Sequence, residues 1–547
     1  MLGKQCVVLL LSAAACTGQV GNVEVTSDPG PTGGGSQGGA GGVTPSAVVL
    51  PAAGVFRLTA AQYKATLRDL LGDEVPMPTL ERDIVLKGFA AVGAAGAGIA
   101  ESAAESFEGG GSVAAAFAFG AKGSKRSLLT CAGQMGPDEA CVKTFVQSFG
   151  RKVFRRPLES AEQDNYVKVW KDAAALEKSS WRGVELLVAA MLQSPNFLFR
   201  VQEGEVDPGN RARRRYRSFE MADRLSYFLW GSTPDDALLN AAESGALLSA
   251  AGVAAQAKRL AASPRARAAL ANFVAEKLDL GQLDLISKDA VAFPRFSPAL
   301  AATMKASTQR LIDFVLFEKS GDFLDLIDTR TTFVNKELAA IYNIPNITSD
   351  TLVQATAEPL RVGILGQASF LAVKSHAVKT SPTQRGKFVM ERLLCNEIPA
   401  PDASVDTTVP ADANLSMRDF LEEHRKNPTC ASCHKLMDPI GVAFENFDAI
   451  GAFRTKDAGR EIDASGAIEG KAYRNLPELA AVLRSSPEVA MCVVKDLLRY
   501  ATADSAAEQD PEVIAELTKT FEANGRQLRD LAAAIATSDS FRFASSF

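Results

Sequence analysis

The sequence predicts a mainly α-helical protein built from several modules. The chain of 547 residues is 47% hydrophobic and 22% charged, a balance typical of a large globular body. Apolar residues recur at spacings of three and four over most of the chain, whereas alternating apolar and polar runs are scarce. These observations favour helices packed on helices with little sheet.

The first elements in chain order are predicted to be export signals. A lysine and a short apolar run followed by small residues predict a signal peptide over residues 1–15. The small residues before Cys16 resemble a bacterial lipoprotein processing site, although Ala13 stands where leucine is usual, so we favour lipidation of Cys16 over ordinary secretion. Residues 16–54 are rich in Gly, Ser, Pro and Thr and predict a flexible tether.

The helical body begins within residues 58–72. Thr59 is a suitable helix cap, Tyr63 and Leu67 fall on one face, and Gly72 ends the pattern. Similar signals recur along the chain. They predict helices over residues 138–154, 160–176, 181–192, 218–230, 250–262, 264–278, 298–317, 335–342, 383–395 and 487–501.

Three segments depart from the helical pattern. Residues 89–122 are rich in Ala and Gly, with three consecutive glycines, and are predicted to be a loosely structured insertion. Gly459 and Gly466 are predicted to mark turns of a β-hairpin within residues 451–468. The arginines between residues 211 and 217 are interpreted as a solvated loop without a function.

These patterns divide the chain after the tether into four parts. We expect N-terminal helical modules over residues 55–205 and a central helical module over residues 206–350. A third module over residues 351–505 carries the motif described next, and a C-terminal helical segment covers residues 506–547.

The most specific motif is Cys430-Ala431-Ser432-Cys433-His434. C-x-x-C-H is the attachment signature of c-type haem, in which two thiols bind the porphyrin covalently and the histidine binds one face of the iron. The spacing predicts Cys430 and Cys433 as thioether anchors and His434 as the proximal ligand. The third module is therefore predicted to be cytochrome c-like, with a small β-hairpin insertion, and its cofactor to be covalent haem c.

The second axial ligand lacks its usual source. Residues 435–489 contain no histidine and only Met437, which follows His434 too closely to reach the other face of the ring. His376, in a polar loop, is the first candidate for the distal ligand, and His424 is the alternative. Methionines elsewhere in the chain and an open sixth position also stay open.

Further side chains are predicted to surround the haem. Phe444 and Phe447 have helical spacing behind the motif and would form its wall, with an ordinary core role as the alternative. Arg385 and Arg454 are candidate partners for the haem propionates, with salt bridges as the alternative.

The remaining cysteines suggest disulfides. Apart from Cys6 in the signal, Cys16 and the two motif thiols, four of the 8 cysteines are left. Cys131 with Cys141 would make a local bridge, and Cys395 with Cys492 would make a long one. Other pairings are open from sequence alone.

Several runs of the sequence are distinctive. They begin at Phe56-Arg57-Leu58-Thr59, Phe154-Arg155-Arg156-Pro157, Leu225-Ser226-Tyr227-Phe228, Thr380-Ser381-Pro382 and Cys430. These runs resemble a known family, the multi-module haem-c proteins of planctomycetes and myxobacteria, which are strings of bacterial domains of unknown function. The resemblance covers most of the chain from residue 55 onward and implies an extracytoplasmic haem protein, but it brings no catalytic residues.

Three classes of function fit these features. The first is electron transfer to an unknown redox partner. The second is an extracytoplasmic oxidase, peroxidase or dehydrogenase that uses the haem as a relay, although no hydrolase elbow, dinucleotide-binding fingerprint or zinc-protease motif is visible. The third is a structural zinc site formed by His424, Cys430, Cys433 and His434.

Charge and hydropathy exclude other partners. A net charge of −5 and a pI near 5.6 predict no nucleic-acid binding. No segment has the length of apolar sequence needed to span a bilayer. The predicted signal peptide leads us to expect an extracytoplasmic protein, in the periplasm or at the outer membrane. Because no segment could span a bilayer, we expect it to be attached to a membrane only through its lipid anchor.

Overall fold

The computed structural model describes residues 50–96, 98–133, 136–399, 415–506, 508 and 510–546. The predicted signal peptide, Cys16 and the tether up to residue 49 lie outside these residues. Helices make up 57% of the structure, and the sheets are small and antiparallel, so the prediction of a mainly α protein is confirmed. No helix of the described residues is long and apolar enough to cross a membrane.

The N-terminal helices pack around a core of their own, which extends from Leu58 to Leu198 and includes Tyr227. The Thr59 hydroxyl caps the first helix by accepting from the Gln62 amide. The helices are α1 (Ala60–Leu71), α2 (Ala90–Ala94), α3 (Glu101–Phe119), α4 (Glu139–Val153), α5 (Ser160–Leu176), α6 (Ser180–Gln193) and α7 (Pro195–Leu198).

The alanine-rich segment is helical, and the prediction of a loose insertion over residues 89–122 is wrong. Most of it forms α3, which packs on α6. Gly110 and Gly111 are buried, and a Cβ atom at Gly110 would lie 2.7 Å from the Pro78 side chain. The glycines therefore allow close packing in place of breaking the helix.

A second, larger core joins the rest of the molecule from the central helices to the C-terminus. Its first helices are α8 (Ser218–Leu229), α9 (Asp236–Glu243), α10 (Ala250–Ala262), α11 (Pro264–Lys277), α12 (Pro298–Phe317), α13 (Asp325–Asp328), α14 (Lys336–Ile341) and α15 (Ala368–Val373). The core helices that follow are α16 (Pro382–Phe388), α18 (Pro428–Gly441), α19 (Leu476–Arg484), α20 (Pro487–Thr502), α21 (Pro511–Ala523), α22 (Leu528–Thr537) and α23 (Asp539–Arg542). Helix α17 (Met417–His424) precedes α18 and contributes no residue to this core.

The strands form short antiparallel pairs and one three-stranded sheet. The pairs are β1 (Gly54–Arg57) with β2 (Phe199–Gln202), β5 (Thr331–Val334) with β6 (Val353–Thr356), β7 (Lys456–Asp457) with β8 (Arg460–Glu461), and β9 (Gly466–Ile468) with β10 (Lys471–Tyr473). The three-stranded sheet has β4 (Asn210–Arg215) between β3 (Glu205–Asp207) and β11 (Phe543–Ser545).

The arginine-rich run is a strand, so its interpretation as a solvated loop is wrong. It forms the central strand β4, and several of its side chains are paired. Arg213 lies 2.8 Å from both Asp207 and Asp539, and Arg214 donates to the Glu203 carbonyl at 2.6 Å. Arg213 and the pairing of β4 with β11 thus attach the C-terminal segment to the central part of the molecule.

Two hairpins follow the C-x-x-C-H helix. The first, β7–β8, lies within the predicted interval and turns at Ala458 and Gly459, which both have positive φ. Gly466 is not a turn residue, because it lies in β9 of the second hairpin. A Cβ atom at Gly466 would overlap the Pro439 carbonyl of α18, which explains the glycine by close packing.

Candidate functional site

The C-x-x-C-H motif lies on α18. The Asn427 side chain accepts from the Thr429 amide and caps the helix, and Pro428 occupies its first turn. The helix places Cys430 and Cys433 one turn apart, and both are free and partly exposed. In the described residues the other four cysteines are paired. The motif thiols are therefore available for a covalent partner.

The His434 imidazole is held by a carboxylate four residues further along the same helix. Its Nδ1 lies 3.1 Å and 3.0 Å from the two oxygens of Asp438. A carboxylate only accepts hydrogen bonds, so a neutral His434 carries its proton on Nδ1 and leaves Nε2 as a free electron pair. This is the state in which an imidazole binds a metal through Nε2.

Helix α16 supports this pair from one side. Thr383 Oγ1 donates to Asp438 Oδ1 at 2.9 Å. A Cβ atom at Gly386 would overlap the Met437 carbonyl, and one at Gly441 would overlap the Pro382 carbonyl. The two glycines let α16 and α18 approach closely, and this approach brings Thr383 to the carboxylate.

The two other histidines lie on segments next to the motif. The ring of His424, near the end of α17, is 4.5 Å from the ring of His434. Two imidazoles on opposite faces of one iron would have ring centres roughly 6 Å apart, since metal–nitrogen bonds are about 2 Å long. His424 therefore contacts the proximal side, and it would have to move to serve as a distal ligand.

His376 lies in an exposed loop. Its carbonyl accepts from Lys288 at 2.9 Å, and Lys379 of the same loop lies 5.2 Å from the ring of Phe420 on α17. Partial burial, Lys379 and Lys288 together hold the pKa of His376 below its ordinary value. A lowered pKa favours the neutral imidazole, which is the form that a metal ligand requires.

Phe444 and Phe447 are fully buried among protein side chains. The ring of Phe444 lies 5.6 Å from Phe370, and the guanidinium of Arg361 lies 4.5 Å from the ring of Phe447. This arrangement matches the core alternative and does not leave these rings as a free haem wall.

Arg385 and Arg454 are engaged by the protein itself, which argues against a propionate role. Arg385 is completely buried and donates to the carbonyls of Phe444 and Phe447 at 3.0 Å. Burial lowers the pKa of Arg385 to about 10. Arg454 donates to Glu445 Oε2 at 2.6 Å. Both arginines thus stabilise the turn after α18.

The two disulfides suggested by the sequence are at bonding distance. The sulfurs of Cys131 and Cys141 are 2.03 Å apart, and those of Cys395 and Cys492 are 2.12 Å apart. The second bridge links Cys395, just after the π-helical turn (Val389–Leu393) that follows α16, to α20. It connects the helix that supports the motif to the helical C-terminal part.

The zinc alternative has no assembled ligand set. Within the part of the chain that the structure describes, only Cys395, Cys492 and Asp496 bring three ligand atoms within 4.8 Å of one another. Two of these atoms are the sulfurs of a disulfide. The residues expected to hold zinc around the motif do not converge in this way.

Sequence reasoning missed Asp438 and Thr383. Asp438 follows His434 by four residues, and residues four apart share one face of a helix, so this partner could have been predicted. Thr383 lies 55 residues before Asp438, and only the packing of α16 on α18 brings the two together.

Five family profiles match the chain in tandem. Each is described as a protein of unknown function, and together they account for most of the chain after residue 56. The matches are DUF1587 over residues 57–118, DUF1595 over 141–202, DUF1592 over 217–344, DUF1588 over 361–457 and DUF1585 over 469–541. No curated protein and no solved structure matches.

The fold and the matches define a class: a mainly α, multi-module protein made of tandem domains of unknown function. The C-x-x-C-H helix lies within the DUF1588 match. None of the five families has an assigned reaction in its description, so the functional conclusion depends on the chemistry of the site.

Proposed function

We propose that this protein is an extracytoplasmic c-type haem protein that transfers electrons. One observation carries the proposal: two free, partly exposed thiols lie one turn apart on α18, directly before a histidine whose Nε2 is left as an electron pair by Asp438. Each thiol would add across a porphyrin vinyl group, its sulfur forming the new bond to carbon and its hydrogen passing to the other vinyl carbon. His434 would bind the iron, which supplies one-electron redox chemistry.

The surrounding cysteines support an oxidising compartment. Two disulfides in one chain are typical of exported proteins. The proposal therefore includes export. It also includes an N-terminal lipid anchor at Cys16, which the small residues before this cysteine indicate. The distal ligand is proposed to be His376, because its loop lies beside α17, whereas the His424 ring contacts the proximal His434.

The proposal is tested by covalent haem. The exported protein is produced with a haem-c maturation system, denatured and examined for haem that stays with the polypeptide and for its reduced absorption bands. We expect covalent haem in the wild type and in a Cys131→Ala/Cys141→Ala control. We expect none in Cys430→Ala/Cys433→Ala. A wild type without covalent haem under these conditions would overturn the proposal.

The distal position is tested on the same holoprotein. His376→Ala is expected to change the absorption spectrum of the ferric haem, because a strong nitrogen ligand is lost. His424→Ala serves as the comparison. An unchanged spectrum in His376→Ala would reject His376 as the ligand.

An enzyme is the second candidate, and one cleft favours it. A cleft of 810 Å³ lies beside α16, with Gln384, Lys387, Arg392 and Lys495 among its lining residues. This volume is in the range of small-molecule sites. Reduction of the ferric haem by a small organic substrate, abolished in Lys495→Met, would favour an enzyme over a simple carrier.

A further inference from the structure

Asp438 is a buried carboxylate with one basic neighbour. Its side chain is 1% exposed, and within the described residues the His434 imidazole is the only basic side chain at salt-bridge distance, a contact that is a hydrogen bond when the imidazole is neutral. The neutral hydroxyl of Thr383 supplies a further hydrogen bond at 2.9 Å. A buried charge is costly unless a charge of opposite sign compensates it. The Asp438 carboxylate is therefore placed to stabilise positive charge on the His434 imidazole or on a metal bound to that imidazole.

The hydrogen bond between Asp438 and His434 determines how the carboxylate affects a bound metal. Both Asp438 oxygens lie within 3.1 Å of His434 Nδ1, so the carboxylate draws on the Nδ1 proton. A carboxylate that accepts from a ligating imidazole raises the basicity of the ligand. The other ring nitrogen then donates more electron density to a bound metal, and the more positive oxidation state of that metal is favoured.

We infer that Asp438 is a positioning residue that sets a low reduction potential by stabilising the ferric state of a haem bound through His434. The inference rests on the proposed haem function and extends it to the regulation of the potential. Hydrogen bonding to the axial ligand is one of the recognised ways in which a protein tunes a haem.

Thr383 fixes the orientation of the carboxylate. Its hydroxyl donates to Oδ1, which is also 3.1 Å from His434 Nδ1. Because Thr383 belongs to α16 and Asp438 to α18, the potential would depend on the close packing of these two helices at Gly386 and Gly441. Loosening this contact would weaken the hold of the carboxylate on the imidazole.

The experiment measures the midpoint potential of the purified holoprotein. Asp438→Asn keeps a carbonyl that can accept from Nδ1 but removes the negative charge. We expect its midpoint potential to shift to more positive values. In a His376→Ala background, which frees the proposed sixth position, the iron–histidine stretching frequency of the ferrous form should fall when Asp438→Asn is added, because a less basic imidazole binds more weakly. Thr383→Val should shift the potential in the same direction by a smaller amount.

Glu423→Gln is the matched control, because Glu423 is an exposed acid on α17 that pairs with Lys426. This variant should leave the potential at the wild-type value. An Asp438→Asn holoprotein with the wild-type potential, or one with the same shift as Glu423→Gln, would overturn the inference. If Asp438→Asn does not take up haem, Thr383→Val decides, since an unchanged potential there would equally overturn it.

The two proposals fail in different ways. A wild type without covalent haem rejects the haem function itself. A wild type with covalent haem whose potential does not respond to Asp438 or Thr383 leaves the haem function intact and rejects the role of the carboxylate.

Discussion

Lys288 holds the loop that carries His376. Its ammonium donates to the carbonyls of Ala372, Ser375 and His376 at 2.8, 3.2 and 2.9 Å. The first of these carbonyls belongs to α15 and the other two to the loop. One side chain thus fixes the position of the proposed distal ligand.

The stability of the protein should depend on the titration of Lys288. Burial, together with the nearby Arg385, lowers the pKa of Lys288 to about 8 from its ordinary 10.5. Between these values the unfolded chain binds a proton that the folded protein has lost, so unfolding becomes less favourable as the pH rises. The contribution is complete above pH 10.5 and is lost as the pH falls through about 8.

The measurement compares denaturant unfolding of the wild type and Lys288→Met at pH 7 and pH 10. The free energy of unfolding of the wild type, minus that of Lys288→Met, should be more positive at pH 10 than at pH 7. Lys258→Met, which removes an exposed lysine from α10, is the control. A difference between wild type and Lys288→Met that stays level or shrinks with pH would contradict the prediction.

At the scale of single residues, the sequence predicted what local spacing determines. Cys430, Cys433 and His434 are recognised because their chemistry depends on consecutive positions. The role of Arg385 could not be found in this way, because most of its acceptors are backbone carbonyls of two distant segments, including those of Leu371 and Phe444. A backbone acceptor has no signature in the sequence.

At the scale of single elements, the packing of α3 differs between two of its adjacent glycines. Gly109 is exposed and a Cβ atom there would meet nothing within 4 Å, whereas one at Gly110 would lie 2.7 Å from Pro78. The two residues are adjacent and lie in the same helix. A change to alanine at either position therefore has the same effect on helix propensity, and only the contact with neighbouring side chains differs.

Alanine at these two positions should have opposite effects. Gly109→Ala should stabilise the protein by about 0.5–1 kcal/mol, because alanine loses less backbone entropy in a helix. Gly110→Ala should destabilise it by about 1–3 kcal/mol, because the added methyl group overpacks the contact with Pro78. Denaturant unfolding of both variants measures the two changes. Equal effects at the two positions would show that packing at Gly110 is not limiting.

Most helices were predictable because their caps and apolar faces agree. The helices Ser160–Leu176, Ala250–Ala262 and Pro298–Phe317 begin and end where the sequence indicated. The failures have a common cause. Many residues of α3 are small and most of those of β4 are charged because each element contacts a distant part of the chain. Local composition alone therefore predicted loops at both places.

At the scale of the whole molecule, the central helices and the motif-bearing part share one core, while the N-terminal helices have their own. Residues of this core run from Phe89 through the central helices and α18 to Ala544. The predicted boundary at residue 505 does not separate two cores, since α20 packs on both α21 and α22. Periodicity identifies each helix, but the partner against which a helix buries its face is determined only by the fold.

The Cys395–Cys492 bridge should therefore stabilise the molecule more than the Cys131–Cys141 bridge. The first spans 97 residues and the second 10. A cross-link restricts the unfolded chain more when it closes a longer loop, which corresponds to about 4.7 kcal/mol for roughly 100 residues and about 3 kcal/mol for roughly 15.

The paired substitutions Cys395→Ala/Cys492→Ala and Cys131→Ala/Cys141→Ala compare these effects in one chain. The long-loop variant should lose more free energy of unfolding, by about 1–2 kcal/mol, in denaturant titrations followed by circular dichroism. Because Cys395 follows the helix that supports Asp438, haem content is measured in parallel. Equal losses of stability in the two variants would contradict the prediction. They would show that the Cys395–Cys492 bridge does not restrict the unfolded chain more than the Cys131–Cys141 bridge does.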